Sequence, residues 1–383
     1  MSTSARLAPV AIKRFFTTLP EPRRRRKRIR HPLLNLVVIA LCATIAGADT
    51  YEEIARFGVD RRTWLSRFIK VARTMPSADT FGRVFAALDP VAFQKCFMEW
   101  MQTLHEVTGG QLIAIDGKAA REAMARSTDK GPLCLVSAWA SAQQVVLGQV
   151  AAPPGSSELG ALPALLDLLD LHGAIVTLDA LGCQKEIVAK IVEKQGDYVI
   201  AVKDNQEKLA AAVQVAVGQA LETETGMRQC SQQEQKHGRK ELRMYTVLEV
   251  PADFPERDQW PSVRSVGMVV REYVDKSGET RMGVRYYISS LPAKVRLFAK
   301  AVRNHWTIEN QMNWTLDVSF REDQNRARLQ NAQANLGIFR RTALGLLKNT
   351  KGLKGGVHCR RQQAAWNEKT LETVLLGGEV RQD

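Results

Sequence analysis

The chain is poor in the residues that staple small folds or hold zinc. Its six cysteines stand at 42, 96, 134, 183, 230 and 359, with no CxxC pair and no clustered Cys/His spacing. That excludes a zinc-ribbon core and a disulfide scaffold, and the cysteines read as buried thiols of a reducing cytoplasm. No GxxxxGK[ST] loop is present, which argues against an ATP-driven step and against a nucleotide cofactor. Long apolar runs are also missing. The stretch from Leu33 to Ala48 is 16 residues and is interrupted by Asn35 and Thr44, whereas spanning a bilayer takes ~20. It reads as a core helix entered just after Pro32, not as an export signal or membrane anchor. No repeat of the solenoid kind is visible.

What remains is an ordinary globular composition with a basic surplus. The 383 residues are 45% hydrophobic and 25% charged, enough for two or three domains at about 150 residues each. Lys and Arg number 54 against 40 Asp and Glu, a net charge of +14, which favours a polyanionic partner. Arg23, Arg24, Arg25, Arg26, Lys27, Arg28 and Arg30 put seven of those charges into eight residues; without them 47 stand against 40. Half of the net charge lies in one short segment.

Hydrophobic periodicity divides the chain into five parts. Residues 1–105 read as a basic helical unit, expected to bind DNA. Leu33 to Ala48 and Tyr51 to Phe57 carry apolar positions at helical spacing, and Pro76-Ser-Ala-Asp79 supplies a turn and N-cap before a short helix over Thr80–Leu88. In 106–205 the pattern becomes strand, strand, strand, helix, strand, helix, strand, with runs at Gln111–Asp116, Leu133–Ala140, Val145–Ala152, Ala174–Asp179 and Asp197–Val202 and a helix over Glu158–Leu171. Residues 206–298 begin with a helix over Gln206–Leu221, pass through a polar linker, and continue as strands at Glu241–Val250, Val263–Glu272 and Gly283–Ser289. Two long helical runs, Leu297–Leu316 and Asn331–Leu347, fill 299–350. A basic tail with a short helix occupies 351–383.

Asp116 and Asp179 each end an apolar run, where a buried strand surfaces and can aim a carboxylate into a site. Side by side in one sheet, the two would offer hard oxygen donors to one divalent ion, and magnesium accepts one or two protein carboxylates plus water. The plainer alternative is that each Asp caps the following turn. Glu309 lies on a helix among Trp306, His305, Met312 and Asn313, a mixture unlike a clean core stripe, with Asp317, Glu322, Asp323, Arg326 and Arg328 downstream. A solvated, salt-bridged face is the plain reading of that stretch, although Trp306, Ile308, Trp314 and Phe320 are too apolar for full exposure. His237, Arg239, Glu241 and Arg243 alternate along a strand and share one face, either gripping DNA backbone or forming a salt-bridged sheet surface.

Several ordered motifs together resemble the H-repeat-associated group of insertion-sequence transposases, within the DDE transposases that have a ribonuclease-H-like catalytic core. They are Ala114-Ile-Asp-Gly-Lys118, Thr177-Leu-Asp-Ala-Leu-Gly-Cys-Gln-Lys-Glu186, Val202-Lys-Asp-Asn205, His237-Gly-Arg-Lys-Glu241, Tyr287-Ile-Ser-Ser-Leu291, His305-Trp-Thr-Ile-Glu-Asn310 and Leu316-Asp-Val-Ser-Phe-Arg-Glu-Asp323. Pro76-Ser-Ala-Asp-Thr-Phe81 and Leu88-Asp-Pro90 resemble the helical domain associated with that group. The likeness runs from about residue 15 to about 375.

The resemblance implies an α/β chain, α+β overall: a ribonuclease-H-like mixed sheet flanked by helices, with an N-terminal helical domain and a β-rich insertion before the last catalytic helix. It assigns Asp116, Asp179 and Glu309 as catalytic and metal-holding residues. The triad would bind two Mg²⁺ ions about 3.5–4 Å apart, with Mn²⁺ as a substitute. The implied activity is hydrolysis and strand transfer at transposon ends; a nuclease without strand transfer and a domesticated, inactive DNA-binding protein are the alternatives. The implied partners are terminal-repeat and target DNA and, when two ends are paired, a second copy of the chain; the implied location is cytoplasmic, on the nucleoid. Related transposases carry Tyr, Arg and Lys around the glutamate. Val302, His305 and Leu316 stand here instead, so the phosphate contacts fall to Arg303, His305, Arg326 and Arg328, with Lys118, Lys203, His237, Arg239 and the Arg23–Arg30 cluster as further DNA-binding residues.

Overall fold

The computed structural model describes residues 7–24, 29–104, 111–119, 133–153, 155–236, 239–274, 278–325, 327 and 331–380, without the side chains of 7–11, 236, 239 and 240. Six helices come first: α1 (Leu7–Phe16), α2 (Leu33–Ile45), α3 (Tyr51–Asp60), α4 (Arg62–Leu65), α5 (Ala78–Ala87) and α6 (Pro90–Leu104). The chain continues through β1 (Leu112–Ala119), β2 (Cys134–Ala140), β3 (Val145–Ala151), α7 (Leu162–Leu168), β4 (Ile175–Leu178), α8 (Lys185–Glu193), β5 (Asp197–Val202) and α9 (Glu207–Thr223). Four strands follow: β6 (Met227–Lys236), β7 (Arg239–Glu249), β8 (Ser265–Val274) and β9 (Thr280–Ser289). The last helices are α10 (Val295–Thr307), α11 (Trp314–Phe320), α12 (Ala332–Asn349), α13 (Val357–Trp366) and α14 (Glu368–Leu375).

The nine strands form one mixed sheet in the order β3-β2-β1-β4-β5-β9-β8-β7-β6. The pairs β1/β4 and β4/β5 are parallel, and β5/β9, β9/β8, β8/β7, β7/β6 and β2/β3 are antiparallel. This is a ribonuclease-H-like fold with a β-rich insertion. By compactness the chain divides into two units, one of residues 1–107, 117–161 and 309–383, the other of 108–116 and 162–308.

In the first unit, α12 is the organising element. It is buried along nearly its whole length and packs on α2, α5, α6 and β3. Phe339 on α12 meets Phe85, Phe93 and Phe97 edge to face at centroid distances of 5.1–5.6 Å, a geometry that adds to their apolar burial. Buried polar side chains tie elements together here: Asn335 donates to the carbonyls of Phe85 and Leu88, and Arg361 donates to the Thr44 carbonyl and pairs with Asp49 at 2.8 Å. The helix α2 begins directly after Pro32, and its residues are buried almost without exception. No described helix is long and apolar enough to cross a membrane. Thr50 and Glu53 close a capping box at the start of α3, and Ser77 caps α5.

The second unit packs α10 across the inner strands. Leu112, Ile175, Val199, Tyr245, Tyr287 and Phe298 share one core. Phe298 lies over Gly267 of β8, where an added Cβ would come within 2.5 Å of the ring. Gly267 is therefore the residue that lets α10 approach the sheet closely.

Several elements differ from the sequence reading. The first strand does not end at Asp116 but runs three residues further, because the apolar run marks only its buried half. The helix expected over Glu158–Leu171 is a 3-10 turn at Glu158–Gly160 followed by α7; Pro163 lacks an N–H and is tolerated only in a helix's first turn, which fixes the start of α7 just before it. The polar linker expected after α9 contains the ten-residue strand β6. It is the sheet's terminal strand, and Gln, Lys and Arg suit an edge that must resist pairing with another chain.

Candidate active site

Asp116 and Asp179 follow the paired stretch of β1 and β4. In the parallel pair β1/β4, Leu112 lies opposite Ile175, Ile113 opposite Val176 and Ala114 opposite Thr177. Extended two residues past this ladder, the same offset would bring Asp116 level with Asp179, at the ~4.8 Å spacing of neighbouring strands. Asp116 is half-buried within β1, and Asp179 is exposed just beyond β4. Asp179 also caps its own turn, its Oδ1 accepting from the backbone N–H groups of Leu181 and Gly182 at 3.0 and 3.2 Å. Capping and display of the carboxylate coexist here.

His305, on α10, stands beside this pair of strands. Its Nδ1 is 3.1 Å from the Thr177 hydroxyl on β4. Burial pushes its pKa down to about 4, with Arg285 adding to the effect and Asp179 and Thr177 opposing it. The imidazole is therefore neutral at pH 7, and His305 offers a hydrogen-bonding group and not a cation. Val302 and Leu316 are core residues, 6% and 0% exposed. A tyrosine, arginine or lysine could replace neither without opening the core.

Glu309 is exposed and lies at the start of a π-helical segment, Ile308–Asn313, between α10 and α11. Such a segment carries one extra residue per turn, and π-turns are frequent at functional sites. Periodicity alone predicts an uninterrupted helix here.

Lys118, two residues past Asp116, ion-pairs with Asp317 at 2.6 Å and with Asp323 at 2.7 Å. Burial pulls its pKa down, but the two carboxylates outweigh burial and the net shift is upward. One ammonium serves two acids, so Asp317 still sits above the usual range: its own burial and the charges of Asp323 and Glu322 exceed the help from Lys118. Behind this cluster Arg341 pairs with Glu322 at 2.6 Å and donates to the Ser137 hydroxyl. A side chain at Gly117 would strike Glu158, whose Oε2 lies 1.9 Å from the position of an added Cβ. Glu158 is thus a further carboxylate against the first strand. Sequence reading did not find it; the glycine directly after Asp116 was its only trace.

Among the described residues no group of three or more His, Cys, Asp or Glu could hold a metal ion. The pair Asp116 and Asp179 by itself fits the one or two carboxylates that a water-rich magnesium site needs.

The candidate DNA-binding cations are found in different states. Arg24, Arg30 and Lys203 are exposed. Arg23 ion-pairs with Glu21 at 2.6 Å and donates to the His31 carbonyl. Arg303 pairs with Glu234 at 2.6 Å, and Lys118 is engaged as above. Glu241 and Arg243 form an ion pair with each other, and Glu241 also pairs with Arg271. Arg25, Arg26, Lys27, Arg28, His237, Arg326, Arg328 and the side chain of Arg239 lie outside the described residues.

Comparison with known proteins places the chain in a family. Residues 13–101 match the DDE_Tnp_1-associated family and residues 108–346 the transposase DDE domain. "Putative transposase YncI" of Escherichia coli O157:H7 is 39% identical over 365 residues, covering 94% of this chain and 93% of the relative. "H repeat-associated putative transposase YhhI" of Escherichia coli K12 is 34% identical over 354 residues, 91% of this chain and 94% of the relative. A protein described as "Uncharacterized protein in dhlA 3'region" of Xanthobacter autotrophicus is 36% identical over 67% of the chain. With the DDE-domain match covering more than half of its length, the chain belongs to the transposase DDE-domain family.

Proposed function

We propose that this protein is a DNA transposase that nicks and joins DNA strands, with Asp116, Asp179 and Glu309 as its metal-holding catalytic acids. The observation that supports the reading is the parallel register of β1 and β4, which, extended past Ala114 and Thr177, would bring Asp116 level with Asp179 inside the stretch matched to the DDE domain. A divalent ion such as Mg²⁺ held there would activate the attacking oxygen and neutralise charge on the leaving one. The chain's own contribution is to offer Asp116 within β1, Asp179 just past β4 and Glu309 on the π-helical segment after α10. His305 keeps a neutral neighbour beside Asp179, so the carboxylate is not spent on a permanent ion pair.

The chemistry balances without a nucleotide. In the first step a water oxygen attacks a phosphodiester and the P–O3′ bond breaks, leaving a 3′-hydroxyl and a 5′-phosphate. In the second that 3′-hydroxyl attacks a target phosphodiester; one P–O bond forms, one breaks, and the displaced 3′-oxygen takes the proton. Pairing two transposon ends calls for a second copy of the chain, and the work is done on the nucleoid.

The test is incubation of the purified chain, with and without Mg²⁺ or Mn²⁺, with the DNA that flanks its own reading frame, followed by mapping of breaks. Asp116→Ala, Asp179→Ala and Glu309→Ala should each reduce nicking by at least 10³-fold and leave binding to end DNA within a factor of about three. Full nicking by any one variant removes that residue from the site. A pre-nicked end with a free 3′-hydroxyl, supplied with a target plasmid, separates joining from cutting alone.

A further inference from the structure

The second unit contains a pocket that the three acids do not use. Strands β7, β8 and β9 form its floor and the last turns of α10 its wall, enclosing about 200 Å³. One water needs about 10–15 Å³ of such space, so the pocket has room for a phosphate with an adjoining sugar. Tyr245 and Tyr287 form the buried base, and Gly283, opposite Arg271 in the β8/β9 register, leaves a notch. A Cβ at Gly283 would meet nothing within 4 Å.

The lining is strongly cationic. Arg243, Arg271, Arg285 and Arg303 all line the pocket. Two carboxylates answer them, Glu241 against Arg243 and Arg271, and Glu234 against Arg303 and, at 3.5 Å, Arg243. Four guanidiniums over two carboxylates leave a surplus of two positive charges. Arg285 has no carboxylate partner among the described residues. Arg243 is only 5% exposed, and its buried Nη1 faces Glu234 at 3.5 Å without completing a hydrogen bond. Leaving such a donor unsatisfied is costly. Trp306 braces the cluster, with the guanidinium carbons of Arg243, Arg271 and Arg285 each 5.0–5.2 Å from its ring centroid. The cations are thereby held in place before any ligand arrives.

We propose that this pocket is a phosphomonoester site, taking the terminal 5′-phosphate and first sugar of one nucleotide. A phosphate dianion matches the surplus charge, offers acceptors to Arg243 and Arg285, and fits the volume. That the phosphate belongs to a nucleotide rests on the DNA reading above, in which nicking produces a 5′-phosphate; the anion site itself does not. The source is either the end of a DNA strand or a free mononucleotide.

The test is fluorescence anisotropy of the full chain, without divalent metal, using one labelled single-stranded oligonucleotide bearing a 5′-phosphate or a 5′-hydroxyl. The phosphorylated strand should bind about tenfold tighter or more. Gly283→Leu, which fills the notch, and Arg285→Met, which removes the unpaired cation, should each erase that difference and leave metal-dependent nicking of plasmid DNA unchanged. Equal binding of the two strands by the unsubstituted chain overturns the proposal, as does a preference that survives both substitutions. Competition with a deoxynucleoside 5′-monophosphate distinguishes the sources: displacement at comparable concentration assigns the pocket to free nucleotide, and its absence assigns it to strand ends. Phosphate preference in a chain that never nicks DNA would keep the pocket and discard the transposase chemistry.

Discussion

At the scale of single residues, ion pairs between distant positions hold the buried charge. A carboxylate that ends an apolar run, as Asp116 and Asp179 do, is marked by its immediate neighbours. Lys118 gives no such local sign: Asp317 and Asp323 reach it from about 200 positions away, and no periodicity links them. The same holds for Arg341 and Glu322, whose side chains are 2% and 6% exposed, although the charged stretch around Glu322 reads in sequence as a solvated face. Removing one member of a buried pair leaves an uncompensated charge at a cost of about 3–5 kcal/mol. Glu322→Gln should lower the unfolding free energy measured by denaturant titration by an amount in that range, and a loss under about 1 kcal/mol would show that water reaches the pair. Lys348 supplies a pH test. Burial pushes its pKa down to about 8, with Arg360 adding to the shift, while its Nζ donates to the Gln311 carbonyl. An unfolded lysine keeps its proton to about pH 10.4. Between these values the unfolded chain binds more protons, so this group's contribution to stability rises with pH from about 8 to 10.4 and is constant below 8. Urea titrations at pH 7 and pH 10 should show the unsubstituted chain gaining on Lys348→Met by on the order of 1–2 kcal/mol, after allowance for partial exposure.

At the scale of elements, strands and helices with one buried face were readable, and elements set by their neighbours were not. The helices α2, α3 and α5 follow from apolar spacing, capping residues and Pro32. The strand β6 is polar, Met-Arg-Gln-Cys-Ser-Gln-Gln-Glu-Gln-Lys, and exists because β7 offers it a ten-residue antiparallel ladder. The π-turn at Ile308–Asn313 is equally silent, since one extra residue in a helix of mixed composition leaves no mark on the hydrophobic pattern. Its consequence is specific. Deleting Asn310 would restore the α period and turn Glu309 by about 100° relative to α11. Misplacing a catalytic group by about 1 Å can cost 10²-fold. The deletion should therefore reduce metal-dependent nicking by 10²-fold or more, with thermal stability held or raised. Unchanged nicking would mean that the π-turn does not position Glu309.

At the scale of the whole molecule, the basic surplus divides by what each cation already touches. Net charge was read directly from composition, but composition cannot tell a free guanidinium from a committed one. Arg23 opens the basic cluster, yet it forms a two-contact pair with Glu21, through Nε at 2.6 Å and Nη2 at 2.7 Å, and also donates to the His31 carbonyl. Arg24 and Arg30 are exposed. If the cluster neutralises DNA phosphates, its working members are Arg24, Arg25, Arg26, Lys27, Arg28 and Arg30, six and not seven. Each neutralised phosphate steepens the dependence of log affinity on log salt by about 0.9. Replacing all six by Gln should make that slope shallower by about 5, which removes roughly 10³-fold of the affinity loss between 50 and 200 mM salt. Arg23→Gln alone should change the slope by well under one, because its charge is already answered by Glu21. The position of the cut should not move in either variant, since phosphate contacts fix a protein on the duplex without reading its bases. A displaced cut site would show that the arm reads sequence. A full-unit change in slope from Arg23→Gln would show that the pair with Glu21 opens when DNA is bound, and the count of seven would be restored.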